Sequence, residues 1–365
     1  MKRGDNMGTL RRLGSVLGAG ALVLGTLTVA ATATAGAASK FKACVVTDTG
    51  GINDKSFNAS AWAGAQAAAK SDTKISPSYL SSGSSADYTP NINTFIGENC
   101  GIIITVGFLM DPATAKAANA HLSQKFAIVD DAPVVKAGTH VEALQYETDQ
   151  AGFLGGILAA GMSKKGTVAT YGGENFSAVT LYENGFVAGV RYYDKTYGKS
   201  VKVLGWTPPK TACSLAACPG TGTFVGSFTN ATLGKTITLG DYSNGADIVF
   251  PVAGSVGLGS VAAAKQDGAG HYVMWVDSNG CVSDAADCKY FVGTVAKGVE
   301  PSVEAAILSA AKGTFKAGSY VGTLKNDGTA LEFGGVKVPS KLKAEIATAK
   351  AGIIAGTISV NPNKW

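Results

Sequence analysis

The sequence predicts an α/β protein whose strands form doubly wound parallel sheets in two domains. Six short apolar, β-branched runs recur along the chain, and Ala-rich stretches long enough for crossover helices separate them. Once an N-terminal export segment is set aside, roughly 325 residues remain, which is long for one core and typical of two.

The export segment comes first. Lys2, Arg3, Arg11 and Arg12 precede an uncharged stretch over residues 13–39 that contains Thr34-Ala35-Gly36-Ala37-Ala38, the pattern of a signal peptide spanning residues 1–37. The stretch has few large apolar side chains, which argues against a retained membrane anchor. Its removal takes four basic residues and Asp5 from a formal charge of +5, leaving +2. So weak a charge predicts no nucleic-acid partner. The nearest cysteine, Cys44, follows Phe41-Lys42-Ala43 where a lipobox needs an apolar and then a small residue, so no lipid anchor is expected. The mature protein is expected outside the cytoplasm, extracellular or associated with the cell surface.

The expected strands are residues 43–47, 102–106, 126–129, 167–171, 247–251 and 272–276, each followed by a polar or glycine-rich turn. The helices between them are expected at 59–70, 113–122, 150–162, 179–193 and 256–265. Open sheets of this kind bind ligands beyond the carboxyl ends of their strands, so the residues just after each run are the candidate site.

No phosphate loop or dinucleotide fingerprint is present, and His121, His140 and His271 lack a G-x-S-x-G partner. Catalytic residues, cofactors and metals are therefore not expected. Six cysteines behind an export signal predict disulfides. Cys213 with Cys218 and Cys281 with Cys288 read as local loop staples. Cys44 and Cys100 each begin a β-like run, and they would reach one another if those runs are neighbouring parallel strands.

The first run leads into Asp48-Thr49-Gly50-Gly51-Ile52-Asn53-Asp54-Lys55-Ser56-Phe57-Asn58. This resembles the D-x-G-G-x-x-D-x-S-F-N signature of the basic membrane protein family, the substrate-binding proteins of ABC importers. The resemblance continues through residues 107–110, 126–131, 145–160, 245–254 and 276–278 to Lys297. It implies a type I periplasmic-binding-protein fold, two lobes joined by a multi-strand hinge. Residues 38–147 with about 278–318 are expected in one lobe, and 148–277 with about 319–365 in the other.

The resemblance also implies a nucleoside, most readily a purine nucleoside, held between the lobes and delivered to a membrane ABC permease by a monomeric receptor. Phe57 aligns with the base-stacking aromatic, and Asp48 and Asp131 match acidic positions that accept from ligand donors, with Asp130 beside the latter complicating the register. Asn58 suits a purine edge, and Asp277 and Lys297 match the ribose-binding pair. Gly254 would admit close backbone approach, and Phe176 is a loosely matched candidate for the second face of the base. The segment 207–224, with its two cysteines, has no family counterpart. The alternatives are a sensor that presents a nucleoside or sugar to a membrane signalling partner, and a secreted nucleoside hydrolase.

Overall fold

A computed structural model of the protein describes residues 40–365. The signal peptide expected at residues 1–37 lies outside the described residues.

The first lobe opens with β1 (Phe41–Thr47), α1 (Phe57–Ser71), β2 (Ile75–Leu80), α2 (Tyr88–Gly97), β3 (Ile102–Val106), α3 (Asp111–Ala120), β4 (Lys125–Val129) and β5 (His140–Tyr146). The chain then builds the second lobe from α4 (Thr148–Met162), β6 (Thr167–Gly172), α5 (Ser177–Tyr197), β7 (Lys202–Leu204), β8 (Trp206–Thr207), β9 (Thr221–Gly222), α6 (Ala231–Ser243), β10 (Ile248–Val252), α7 (Gly257–Asp267), β11 (Tyr272–Asp277), α8 (Gly280–Ser283) and β12 (Phe291–Lys297). It returns to the first lobe for α9 (Val299–Ala311) and β13 (Gly318–Gly322), and ends in the second with β14 (Thr329–Phe333) and α10 (Ser340–Ile354).

The first sheet runs β13-β5-β4-β3-β1-β2 with every pairing parallel. The second runs β14-β12-β11-β10-β6-β7, parallel except at the β12–β14 edge. Helices cover both faces of each sheet, which is why a central strand such as β3, Ile-Ile-Ile-Thr-Val, is buried at every position. Glycine lets the helices approach closely. A side chain on Gly156 or Gly189 would collide with the carbonyl of Phe186 or Phe153, so α4 and α5 pack backbone against backbone.

The lobes are joined at three crossings, at Glu147, at Gly298 and across residues 323–328. Two of these correct the boundaries expected from the sequence. β12 pairs with β11 and β14, so the chain stays in the second lobe through Lys297 rather than leaving it near 278. β13 pairs with β5, so the last crossing follows Gly322 rather than 318. The run Phe291-Val292-Gly293-Thr294-Val295-Ala296-Lys297 continues the second sheet because the short α8 and the loop behind it carry the chain back to lie beside β11.

All six cysteines are paired, Cys44 with Cys100, Cys213 with Cys218 and Cys281 with Cys288. β1 and β3 are parallel neighbours, which sets the Cα atoms of Cys44 and Cys100 6.1 Å apart. Thiol titration of the denatured, unreduced protein is expected to find none of the six free, and any free pair would contradict this framework.

Candidate functional site

The carboxyl ends of the two sheets meet across the cleft between the lobes, around a small cavity lined by residues of both. Asp48 follows β1 directly. Its Oδ1 accepts from the Gly50 backbone N–H at 3.0 Å and from Asn58 Nδ2 at 2.7 Å. Its Oδ2 lies beside Gly107, where φ is +107° and a Cβ would stand 2.7 Å away, so only glycine fits there.

Asp54 accepts backbone N–H bonds from Ser56 at 3.0 Å, Asn58 at 2.8 Å and Ala59 at 3.0 Å. Its carboxylate thus caps the N-terminus of α1, where free N–H groups and the helix dipole favour negative charge. The D-x-S-F-N part of the signature is therefore a helix cap. It sets Phe57 and Asn58 on the first turn of α1, facing the cavity.

The same loop docks on the second lobe. Ser56 Oγ donates to the Val276 carbonyl at 3.1 Å and to Asp277 Oδ2 at 2.9 Å, and Ser278 Oγ donates to the Lys55 carbonyl at 2.8 Å. At the rim, Lys55 pairs with Asp284 at 2.6 Å. The lobes are closed on one another.

A charged network lies beneath. Lys297 Nζ, at the end of β12, stands 2.6 Å from Asp130 Oδ2 and 3.4 Å from Asp277 Oδ1. Tyr182 donates its hydroxyl to Asp277 Oδ1 at 2.8 Å. The ammonium also lies over the rings of Phe57 and Tyr182, at 4.8 and 5.1 Å. Lys55, Asp130 and Asp277 all adopt positive φ, a conformation that costs free energy for any residue with a Cβ and is often kept at functional sites.

The opposite wall is aromatic. Phe108, after β3, stacks on Phe176, before α5, with ring centroids 4.7 Å apart and planes 14° from parallel. Phe228 leans on Phe176 at 5.9 Å.

Asp48, Phe57, Asn58, Phe176, Gly254, Asp277 and Lys297, all singled out from the sequence, line this cavity. Asp131 is not among the lining residues, and Asp130 takes that place. β4 ends at Val129, and the positive φ of Asp130 turns its side chain inward, while Asp131 bonds the Ala132 N–H at 2.7 Å. Sequence reasoning also missed Phe108, Tyr182 and Phe228.

Burial dominates the electrostatics. It pushes the Asp48 carboxyl above its usual range despite bonds from Asn58 and Gly50. It pushes Asp54 to about 6 against three backbone N–H bonds, and Asp130 to about 6 against the attraction of Lys297. Burial alone would lower Lys297, but Asp130 and Asp277 outweigh it and hold the ammonium above its usual range. Burial likewise raises Asp131 to about 6 and, reinforced by the Glu147 charge, Asp149 to about 7.

A carboxyl raised from about 3.9 binds its proton more tightly in the folded than in the unfolded chain, so ionising it costs stability as pH climbs through that window. The melting temperature of the ligand-free protein is therefore expected to rise as pH is lowered from 7.5 to 5. A scan that falls over this interval would contradict the burial of these groups.

A family model described as PnrA-like ABC transporter substrate-binding protein, Bmp, matches residues 41–217 and 222–364. The chain belongs to the Bmp family. The match is interrupted only at residues 218–221, so the segment 207–224, expected to lack a family counterpart, has one at all but four of its residues. The Bmp chain is 29% identical over 339 residues to the ABC transporter nucleoside-binding protein BmpA of Lactococcus lactis, covering 88% of this chain and 89% of that one. It is 26% identical to the CD4+ T-cell-stimulating antigen of Listeria monocytogenes, covering 88% of each. A solved ABC transporter solute-binding protein from Aeropyrum pernix superposes with a TM-score of 0.75 at 21% identity, covering 87% of this chain and 92% of that one. The two parallel-sheet lobes of the Bmp chain are those of solute-binding proteins.

Proposed function

We propose that this Bmp protein is the extracytoplasmic receptor of an ABC importer, that its ligand is a purine nucleoside, and that it binds without changing the ligand chemically. The observation that carries the reading is one cavity that brings together the aromatic rings of Phe57, Phe108, Phe176 and Phe228 and the polar groups of Asp48, Asn58, Asp130, Asp277 and Lys297. A flat base needs the first, and a sugar diol with base N–H groups needs the second.

Asp130 and Asp277 both pair with Lys297, and ribose hydroxyls would exchange into those pairs. At the other end, Asn58 Nδ2 is already given to Asp48, which leaves Asn58 Oδ1 buried without a partner and Asp48 Oδ2 open. Two neighbouring acceptors favour a base edge with two N–H donors, so guanosine is expected to bind more tightly than adenosine. The relative that bears the name of nucleoside-binding protein agrees with this reading.

No histidine or cysteine lines the cavity. Export to an oxidising compartment fits three disulfides, and the pairing of Cys44 with Cys100 supports the reading that Cys44 carries no lipid.

A thermal-shift panel of adenosine, guanosine, inosine, uridine, free bases and ribose on the protein from Ala38 onward tests the ligand, because binding to the folded state raises the melting temperature with concentration. Guanosine is expected to give the largest shift, and chromatography after overnight incubation should recover the nucleoside intact. A response to ribose or another sugar alone would end the nucleoside reading, and free base appearing in proportion to protein would make this an enzyme.

A further inference from the structure

The loop between β8 and β9, where the family pattern breaks, crosses the seam between the lobes. It is fixed to the second lobe at several points. The Cys213–Cys218 disulfide closes it, and Thr180 Oγ1 donates to the Cys218 carbonyl at 2.8 Å. Asn363 Nδ2, near the C-terminus, donates to the Pro209 and Lys210 carbonyls at 3.0 and 3.2 Å. Most of the loop is exposed, but Leu215 is half-buried.

Leu215 lines a narrow gap with Ala178 and Leu181 of its own lobe and with Asp130, Gln145 and Tyr146 of the other. Asp130 and Ala178 also line the main cavity. Asp130 and Ala178 therefore form a wall common to the gap and the main cavity, and Leu215 lines the gap on the side of the loop.

We infer that Leu215 is a ligand-retention residue, the apolar tip of a disulfide-held strap that moves with the second lobe and seals the Asp130 side of the cleft when the lobes close. This rests on the reading that the ligand occupies the main cavity. The six residues from Cys213 to Cys218 carry one large apolar side chain, Leu215, too little apolar surface to hold one conformation by packing. The disulfide removes much of the conformational freedom that would otherwise displace its tip. On the opposite side the stacked Phe108 and Phe176 join the lobes, so a bound molecule leaves when one of the two walls gives way.

Two variants of the full mature chain test this, Leu215→Gly and the double variant Cys213→Ser with Cys218→Ser. Hydroxyl-radical footprinting of the ligand-free protein reads the seal directly, since Tyr146 and Leu181 are 3% and 4% exposed. Oxidation of both is expected to rise in each variant, while that of Val134, which is 93% exposed, stays unchanged. With guanosine as probe, the dissociation rate is expected to rise roughly three- to tenfold, since affinity changes appear chiefly in that rate. Unchanged oxidation of Tyr146 and Leu181 in both variants overturns the strap. Increased oxidation with an unchanged guanosine dissociation rate overturns the retention role. Increased oxidation in a protein that binds no nucleoside supports the strap and refutes the nucleoside reading instead.

Discussion

Asp277→Ala is expected to weaken guanosine binding by about 2–5 kcal/mol, the cost of removing one partner from a buried, hydrogen-bonded charged group. Its carboxylate takes Tyr182 on one oxygen and Ser56 on the other, with Lys297 3.4 Å away. Removing it leaves the tyrosine hydroxyl without its acceptor and Ser56 with the Val276 carbonyl alone, and takes from the ligand the group proposed to hold the ribose. Asp284→Ala is the comparison. It pairs with Lys55 at the rim, 6% exposed against 43% for the lysine, and it does not line the cavity, so its removal takes no contact from the ligand. Titration calorimetry of both variants decides the matter, and equal losses would remove Asp277 from the binding site.

Much of this was legible in the sequence. The strands that helices bury on both faces are unbroken apolar runs, and they were recognisable as such. The strands that escaped notice are of two kinds. β2, β7, β13 and β14 lie at sheet edges, where one side of the strand is unpaired and polar residues and Pro77 are tolerated. β5 and β12 lie inside their sheets but carry His140, Glu142, Gln145 and Lys297.

The site divides in the same way. Residues adjacent to a strand end and inside the signature, such as Asp48 and Phe57, could be found by position along the chain. Phe108 follows β3 by one glycine, so the strand-end rule had the information to find it. Asp130 and Asp131 cannot be separated from the sequence, because the backbone conformation of the first residue after β4 decides which carboxylate turns inward. Tyr182 and Phe228 give no local signal. One lies more than a turn into α5 and the other precedes α6, and only the packing of the second lobe brings both to the cavity.

Lys297→Met is expected to destabilise the protein by about 3–5 kcal/mol at pH 8, because removing one member of a buried ion cluster leaves the others uncompensated. The lysine side chain is 3% exposed, and it holds Asp130 of the first lobe against Asp277 of the second. Methionine keeps the length and apolar stem, so packing changes little and the loss reports the charge. The two carboxylates left behind can relieve their repulsion by taking up a proton, and Asp130 already titrates near 6 because of burial. The loss should therefore shrink as pH is lowered towards 5. Adding Asp130→Asn to Lys297→Met removes one of the stranded charges, and this double variant is expected to recover stability at pH 8 relative to Lys297→Met alone. Urea denaturation of the three proteins at both pH values measures these differences as midpoints. A Lys297→Met variant within about 1 kcal/mol of the parent at pH 8, with no gain from the second substitution, would mean that the ammonium is not what joins the lobes.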